Sequence, residues 1–189
     1  MIIPSHQIRA YYTDKTIRVY QAYSDAIADS ALKHNTFVSP PFKLDRMTWI
    51  KPSFLWMMYR SGWAQKDANQ KRILAIDIDR NGFEWALNNS CLSHKPENLN
   101  NEEWKIYKNN YSVRIQWDPE RNILLEPLAY RTIQIGLSKF SLINYVDNWI
   151  YNISDVTSLA FKIRQTITSG DIKEATAMLP IEKAYPYHF

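Results

Sequence analysis

The segment of residues 47–63 holds three of the seven tryptophans and three of the five methionines of the chain. Polar groups at Lys51, Ser53 and Arg60 stand among these apolar side chains. A large apolar patch is seldom left exposed unless it binds something, and a purely structural core segment would not choose such polar neighbours. The segment is therefore predicted to form the buried wall of a pocket, with a few polar groups directed into it.

Several common functional sites are excluded by the composition. The chain has four glycines, too few and too scattered for a glycine-rich phosphate loop, and its single cysteine, Cys91, cannot form an intramolecular disulfide. The four histidines lack the spacing of a metal site, so no metal ligands are predicted; they are His6, His34, His94 and His188. Cys91 is interpreted as a buried structural residue rather than a nucleophile paired with His94.

The net charge of +4 is a mild basic bias that would suit a phosphate-bearing partner. No apolar run approaches the length needed to cross a membrane, and the start of the sequence lacks the features of a signal peptide. A cytoplasmic protein without membrane contact is the expectation.

The pattern of apolar residues predicts one α+β domain over residues 1–189, with a helical C-terminal third. The predicted strands are two short ones around a turn at Asp14-Lys15 within residues 8–23, a central one at 72–78, two at 112–117 and 123–125 around a turn at 118–121, and one at 132–137. The predicted helices are at 25–34, from Ser53 to Tyr59 with an end near Gly62, at 83–87 after a turn at Asn81-Gly82, at 140–150, and in two segments capped by Ser154 and Asp171. Residues 93–111 are predicted to be an irregular insertion with a helical turn near 102–107.

Cationic and aromatic residues fall together in these strands and at the starts of these helices. Arginine offers a planar set of donors for phosphate, and aromatic rings stack on bases. The set comprises Arg9, Tyr11, Arg18, Tyr20, Gln21, Lys51, Ser53, Tyr59, Arg60, Arg131 and Gln134. The alternative is that these are ordinary surface arginines and buried tyrosines.

Five segments closely resemble an uncharacterised family of bacterial and fungal proteins, domain of unknown function 4291. The resemblance extends over nearly the whole chain but implies no activity. It rests on the segments IRAYY (8–12), VYQAYS (19–24), MTWIKPSFLWMMYRSGW (47–63), QWDPER (116–121) and RTIQIGL (131–137).

The order of these segments is also remotely similar to compact ADP-ribosyltransferase-like domains, in which a small split β-sheet surrounds a cleft that holds NAD. That resemblance implies that Arg18 or Gln21 grips the cofactor, that Ser53 and Tyr59 support the nicotinamide side, and that Gln134 orients the ribose. Gln134, Tyr59 and Ser53 are accordingly the candidate catalytic residues. The candidate cofactor contacts are Arg9, Arg18, Tyr20, Gln21, Trp49, Lys51, Arg60 and Arg131.

Three functions follow as hypotheses. The first is an ADP-ribosyltransferase-like enzyme that binds NAD or a related nucleotide and transfers ADP-ribose to a nucleic acid or protein. The second is a non-enzymatic module that binds RNA or single-stranded nucleic acid. The third is a protein-interaction domain that uses the tryptophan-rich segment 49–63.

Overall fold

The computed structural model describes residues 5–187, so His188 lies outside the described part of the chain. The fold is α+β, as the apolar pattern predicts, with two larger sheets and a short two-stranded one. The strands are β1 Arg9–Ala10, β2 Thr16–Tyr23, β3 Thr48–Ile50, β4 Arg72–Asp79, β5 Ser90–Leu92, β6 Val113–Arg121, β7 Pro127–Leu137, β8 Ile150–Asp155 and β9 Lys183–Ala184. The α-helices are α1 Asp25–His34, α2 Phe54–Ser61, α3 Arg80–Asn88, α4 Asn101–Asn109, α5 Lys139–Asn144, α6 Thr157–Thr168 and α7 Ile172–Ala177.

The first sheet has the order β2-β4-β8 and is antiparallel throughout. Its middle strand, β4, is the central strand predicted from the run of β-branched and apolar residues, and its interior positions are almost all buried. A strand that is paired on both edges and covered on both faces has a continuous run of apolar residues. This run is why the sequence alone identifies β4.

The second sheet has the order β3-β7-β6-β5, with β5 parallel to β6 and the other neighbours antiparallel. The predicted turn at 118–121 is wrong, because β6 continues through Pro119 to Arg121, with a register irregularity at that end. The predicted strand at 123–125 is wrong as well. The chain turns there instead, and the side chain of Asn122 accepts hydrogen bonds from the backbone of Leu124 and Glu126.

A backbone hydrogen bond links the two sheets: the amide of Tyr20 donates to the carbonyl oxygen of Lys51 at 2.7 Å. This contact joins the outer edge of β2 to the residue that follows β3. The sheets therefore flank a cleft, in agreement with the predicted split sheet.

Helix α2 ends near Gly62, as predicted, but it begins at Phe54, so Ser53 caps the helix instead of lying inside it. The Ser53 side chain accepts a hydrogen bond from the amide of Trp56, and Gly62 adopts the left-handed conformation that ends a helix. Helix α3 differs from prediction, because Asp79 caps it and it starts at Arg80. Asn81-Gly82 therefore lies inside the first turn instead of forming a turn of its own.

The C-terminal third is less helical than predicted. Strand β8 interrupts it, pairing with β4, and a π-helical segment, Tyr145–Trp149, leads into that strand. Ser154 belongs to β8 and does not cap α6, since the carboxylate of Asp155 accepts the hydrogen bond from the Thr157 amide. The predicted cap at Asp171 is confirmed by its hydrogen bond from the Glu174 amide.

Most of the apolar segment 47–63 is buried. Met57, Met58 and Phe54 of α2 pack against Tyr20 and the inner faces of α6 and α7 in a core cluster of their own. Within residues 5–187, no helix has both the length and the apolar character required to cross a bilayer.

Candidate functional site

A cavity of about 430 Å³ lies where the two sheets meet. Its walls come from the end of β2, from β3 and the residues just before it, from α2, and from the facing strands β6 and β7. The residues that line it are Gln21, Ala22, Tyr23, Arg46, Met47, Thr48, Trp49, Lys51, Met57, Arg60, Gln70, Gln116 and Gln134. Its volume falls within the range usual for small-molecule sites.

The second sheet supplies a pair of amides to this cavity. Gln116 of β6 and Gln134 of β7 are directly opposite each other in the strand register. Asp118 binds both, since Gln116 Nε2 donates to Oδ1 at 2.9 Å and Gln134 Nε2 donates to Oδ2 at 2.7 Å. The amide oxygen of Gln116 accepts from the Ser93 hydroxyl at 3.2 Å. The amide oxygen of Gln134 accepts no hydrogen bond from residues 5–187, so it is open to a ligand donor.

The opposite wall is held by a buried hydrogen-bond network centred on Gln21. Its Nε2 donates to Thr48 Oγ1 at 2.8 Å and to the Tyr23 hydroxyl at 2.9 Å, and its Oε1 accepts from the Tyr145 hydroxyl at 2.8 Å. Burial raises the pKa of Tyr23 to about 12 and that of Tyr145 well above its usual value. These hydroxyls stay protonated donors at neutral pH, and Gln21 therefore fixes the start of β3 in place.

Lys51 is the most perturbed cation in the cavity. The residue is 7% exposed, and its Nζ donates to the Trp49 carbonyl oxygen at 3.2 Å and lies 5.6 Å from the centre of the Trp56 ring. Burial lowers the pKa of Lys51 to about 7, the positive charge of Arg60 adds to this effect, and Asp118 opposes it. An appreciable fraction of the amine is therefore neutral at physiological pH.

Two arginines add further positive charge to the wall of the cavity. Arg46 lies just before β3 and Arg60 in the last turn of α2, and both are exposed to solvent. None of the ion pairs formed within residues 5–187 involves Arg46, Arg60 or Lys51. Three cationic side chains thus line one cavity without a carboxylate partner, although the oxygens of Asp118 lie nearby and bind amides.

Trp49 forms an aromatic wall beside these groups. In a strand, residues two apart share a face, so Trp49 projects on the same side as Lys51. Trp49 lies opposite Gly136 of β7, where a Cβ atom would lie 3.1 Å from the indole Cε2 and 2.5 Å from the sulfur of Met47. A glycine at this position lets both side chains pack closely over β7.

Five of the eleven candidate residues line the cavity: Gln21, Trp49, Lys51, Arg60 and Gln134. Another two are buried beside α2. Ser53 caps α2 and donates a 2.8 Å hydrogen bond to Glu120, and Tyr20 packs edge-on against Phe54 in the core. Neither lines the cavity.

The remaining four candidates are held at other places. Arg18 forms a bidentate ion pair with Asp77, with both distances 2.8 Å. Arg9 donates to the carbonyl oxygen of Glu182, and Arg131 to that of Trp117, each at 3.0 Å. Tyr59 is exposed, and the guanidinium of Arg121 lies 3.6 Å from the centre of its ring.

Sequence reasoning missed Arg46, Gln116 and Asp118 as parts of the site. A signal for two of them is present in the sequence. Gln116 and Asp118 are polar and two residues apart in β6, and alternate residues of a strand share a face. The polar Gln134 in β7 is a further part of this signal. Arg46 lies in an irregular segment and carries no such signal.

A second polar cluster lies at the start of α2. Glu182 Oε1 accepts a 2.8 Å hydrogen bond from the Phe54 amide, next to the Ser53–Glu120 pair. Burial raises the pKa of Glu182 to about 8, and the nearby charge of Glu120 adds to this. Burial also raises the pKa of Glu120. Within residues 5–187, no three His, Cys, Asp or Glu side chains are arranged to hold a metal ion.

Comparison with known proteins identifies the family of the chain. A family model described as a domain of unknown function (DUF4291) matches residues 7–185. No curated protein matches the chain.

Proposed function

The chain belongs to the DUF4291 family, and we propose that it binds a nucleotide, with NAD as the first candidate, in the cavity between its two sheets. The observation that carries the proposal is the gathering of two arginines, Arg46 and Arg60, with the partly protonated Lys51 on one cavity, where none of the three has an ion-pair partner within residues 5–187. Like charges held together repel, and a phosphate group is the natural counter-ion for such a set.

The other groups of the cavity suit the remaining parts of a nucleotide. Trp49 offers an aromatic face for a base. The open amide oxygen of Gln134 is an acceptor for a ribose hydroxyl, because Asp118 holds the other end of that amide. Gln116 supplies a second polar group on the same face of the sheet.

The finer hypothesis is transfer of ADP-ribose from bound NAD. In that reaction the bond between the ribose C1 and the nicotinamide nitrogen breaks, and nicotinamide leaves with the electron pair. An acceptor oxygen or nitrogen then bonds to the ribose carbon and loses its proton. Gln134 would position the ribose and stabilise the developing positive charge with its amide oxygen. The acceptor would be a protein or nucleic acid side group.

Binding is tested by thermal unfolding and calorimetric titration with NAD, ADP-ribose, ATP and a short RNA. A ligand at about 100 times its dissociation constant adds about 2.7 kcal/mol of stability. We expect NAD and ADP-ribose to stabilise the protein, and Arg46→Ala and Arg60→Ala each to weaken the effect. Lys173→Ala is the matched control, since Lys173 is an exposed cation of α7 that does not line the cavity.

Two outcomes would contradict the proposal. One is the absence of stabilisation by any nucleotide, and the other is equal stabilisation of the Arg46, Arg60 and control variants. Stabilisation by RNA alone would favour the nucleic-acid module. The third hypothesis, a protein interface, has less apolar surface to use, because Trp56 and Trp63 are only 5% and 6% exposed.

Catalysis needs its own measurement, which is release of nicotinamide from NAD. Gln134→Ala is expected to abolish turnover while leaving the thermal unfolding of the free protein close to that of the wild type. Binding without release would leave the nucleotide site standing and remove the transferase hypothesis.

A further inference from the structure

Lys51 differs from an ordinary lysine in its surroundings as well as in its charge. The residue is 7% exposed, its Nζ lies 5.6 Å from the centre of the Trp56 ring, and within residues 5–187 the Nζ has one hydrogen-bond partner, the backbone carbonyl oxygen of Trp49. A fully charged ammonium group has three donors and normally stays hydrated or paired. The site therefore suits a neutral amine that presents its lone pair to the cavity.

We propose that the Nζ of Lys51 is a nucleophile that forms an imine with the aldehyde group of a phosphorylated carbonyl compound, such as an aldose phosphate or the open-chain form of ADP-ribose. The surroundings of Lys51 support a reactive amine whether or not the cavity binds a nucleotide. The requirement for a phosphate rests on the proposed function, because Arg46 and Arg60 would hold that group.

The reaction balances without any further reagent. The lone pair of Nζ forms a bond to the carbonyl carbon, while the π electrons of the carbonyl move to its oxygen. A proton passes from nitrogen to that oxygen and gives a carbinolamine. Loss of water, with one further proton from the nitrogen, leaves the imine, so that one amine and one aldehyde give one imine and one water.

The neighbouring charges favour this chemistry near neutral pH. Three elements bring charged groups to the cavity around the amine: Arg60 from α2, Asp118 from β6, and Arg46 from the segment before β3. Arg60 acts together with burial to disfavour the ammonium form, and Asp118 partly offsets them. A solvent-exposed lysine is almost entirely protonated at this pH, so it reacts slowly with aldehydes.

The test uses the full chain, pyridoxal 5′-phosphate as the phosphorylated aldehyde, and pyridoxal as its partner without phosphate. Borohydride reduces the imine to a stable amine, and peptide mass spectrometry locates the label. At pH 7 we expect Lys51 to be labelled on the order of tenfold or more faster than the exposed lysines Lys66 and Lys173 of the same molecules. Half-maximal labelling should lie near pH 7.

Variants separate the two parts of the proposal. Lys51→Met should lose the rapid label, and Lys173→Met should keep it. Arg46→Ala and Arg60→Ala should remove the preference for the phosphorylated aldehyde. If Lys51 in the wild type is labelled no faster than the exposed lysines, the imine proposal is overturned, whatever labelling the variants show. Rapid labelling that is equal with both aldehydes would support the nucleophile and overturn the phosphate site, and with it the proposed function.

Discussion

Asp118 and Gln134 lie on neighbouring strands, and the carboxylate of the first accepts a 2.7 Å hydrogen bond from the amide of the second. The other carboxylate oxygen binds Gln116 in the same way. One acidic group thus orients two amides of the cavity. Asp118 is not among the ion pairs formed within residues 5–187, although its negative charge acts on Lys51.

Asp118→Asn tests this arrangement. An asparagine offers one oxygen in place of two, so one of the glutamine amides faces another amide nitrogen and loses its acceptor. We expect the free energy of unfolding to fall by about 1–3 kcal/mol in urea denaturation. Asp147→Asn makes the same change at an exposed position, and should stay within about 0.5 kcal/mol of the wild type. Equal stability of the two variants would contradict the role given to Asp118.

Gly136→Ala tests the close packing over β7. An added Cβ would lie 2.5 Å from the Met47 sulfur and 3.1 Å from Trp49 Cε2, so both side chains would have to shift. We expect a loss of about 1–3 kcal/mol in the free energy of unfolding.

The matching control for Gly136 is a double-mutant cycle with Met47→Ala. If the clash with the methionine causes the loss, the double variant should be more stable than the sum of the two single effects predicts. Strict additivity would place the strain elsewhere.

Glu182→Gln tests the partly buried carboxyl group at the start of α2. The folded state raises the pKa of Glu182 to about 8, whereas the unfolded value is about 4.3. Between these values the folded state binds more protons, so this group makes stability fall as pH rises, by at most about 1.4 kcal/mol per pH unit. We expect the stability of the variant relative to wild type to increase from pH 5 to pH 8 and then level off.

The control for Glu182 is Glu97→Gln, which removes the same charge at an exposed site. Its stability relative to wild type should not follow this profile over the same range. A flat difference for Glu182→Gln would mean that this carboxyl group is ionised in the folded protein at neutral pH.

Lys51→Met has the opposite pH dependence. The folded state lowers the pKa of Lys51 to about 7, whereas the unfolded value is about 10.4. At pH 6 the buried charge of Lys51 therefore destabilises the wild type, and this destabilisation decreases as the pH rises from about 7 to about 10.4. Methionine has a similar length and no charge. We expect the variant to exceed the wild type in stability at pH 6, with a difference that shrinks above pH 7, while Lys71→Met at an exposed site shows no such trend. A difference that is constant with pH would contradict the lowered pKa.

Ser53→Ala separates a structural role from a catalytic one. The Ser53 hydroxyl caps α2 and donates to Glu120, so its loss should reduce the free energy of unfolding by about 0.5–2 kcal/mol. Binding of NAD should be unchanged, because Ser53 does not line the cavity. Ser24→Ala is the matched control, since Ser24 stands at the start of α1 without a side-chain capping bond and should cost less. A variant of normal stability with weakened NAD binding would favour the catalytic interpretation.

The elements that the sequence predicts well are those with strong local signals. Strand β4 is a run of mostly buried β-branched and other apolar residues, and α2 lies between Pro52 and Gly62, the two residues from which it is predicted. The errors fall where tertiary contacts outweigh local preference. Pro119 suggests a turn, but it lies in β6 at a register irregularity, where a missing amide donor is tolerated.

The site is harder to predict than the fold, because its residues are distant in sequence. Gln116 and Gln134 are neighbours only through the β6–β7 register, and Glu182 reaches Phe54 across most of the chain. No local pattern carries that information. The tryptophan-rich segment did mark one wall of the cavity correctly, because cations among buried rings are unusual anywhere in a sequence.

The backbone bond between Tyr20 and Lys51 has a consequence for how a ligand enters. It fastens one sheet to the other at the edge of the cleft itself, at 2.7 Å, beside the residue whose side chain lines the cavity. A ligand that widened the cleft at this edge would have to break this hydrogen bond. If a ligand enters without widening the cleft, the amide hydrogen of Tyr20 should exchange with solvent equally slowly whether the cavity is empty or filled.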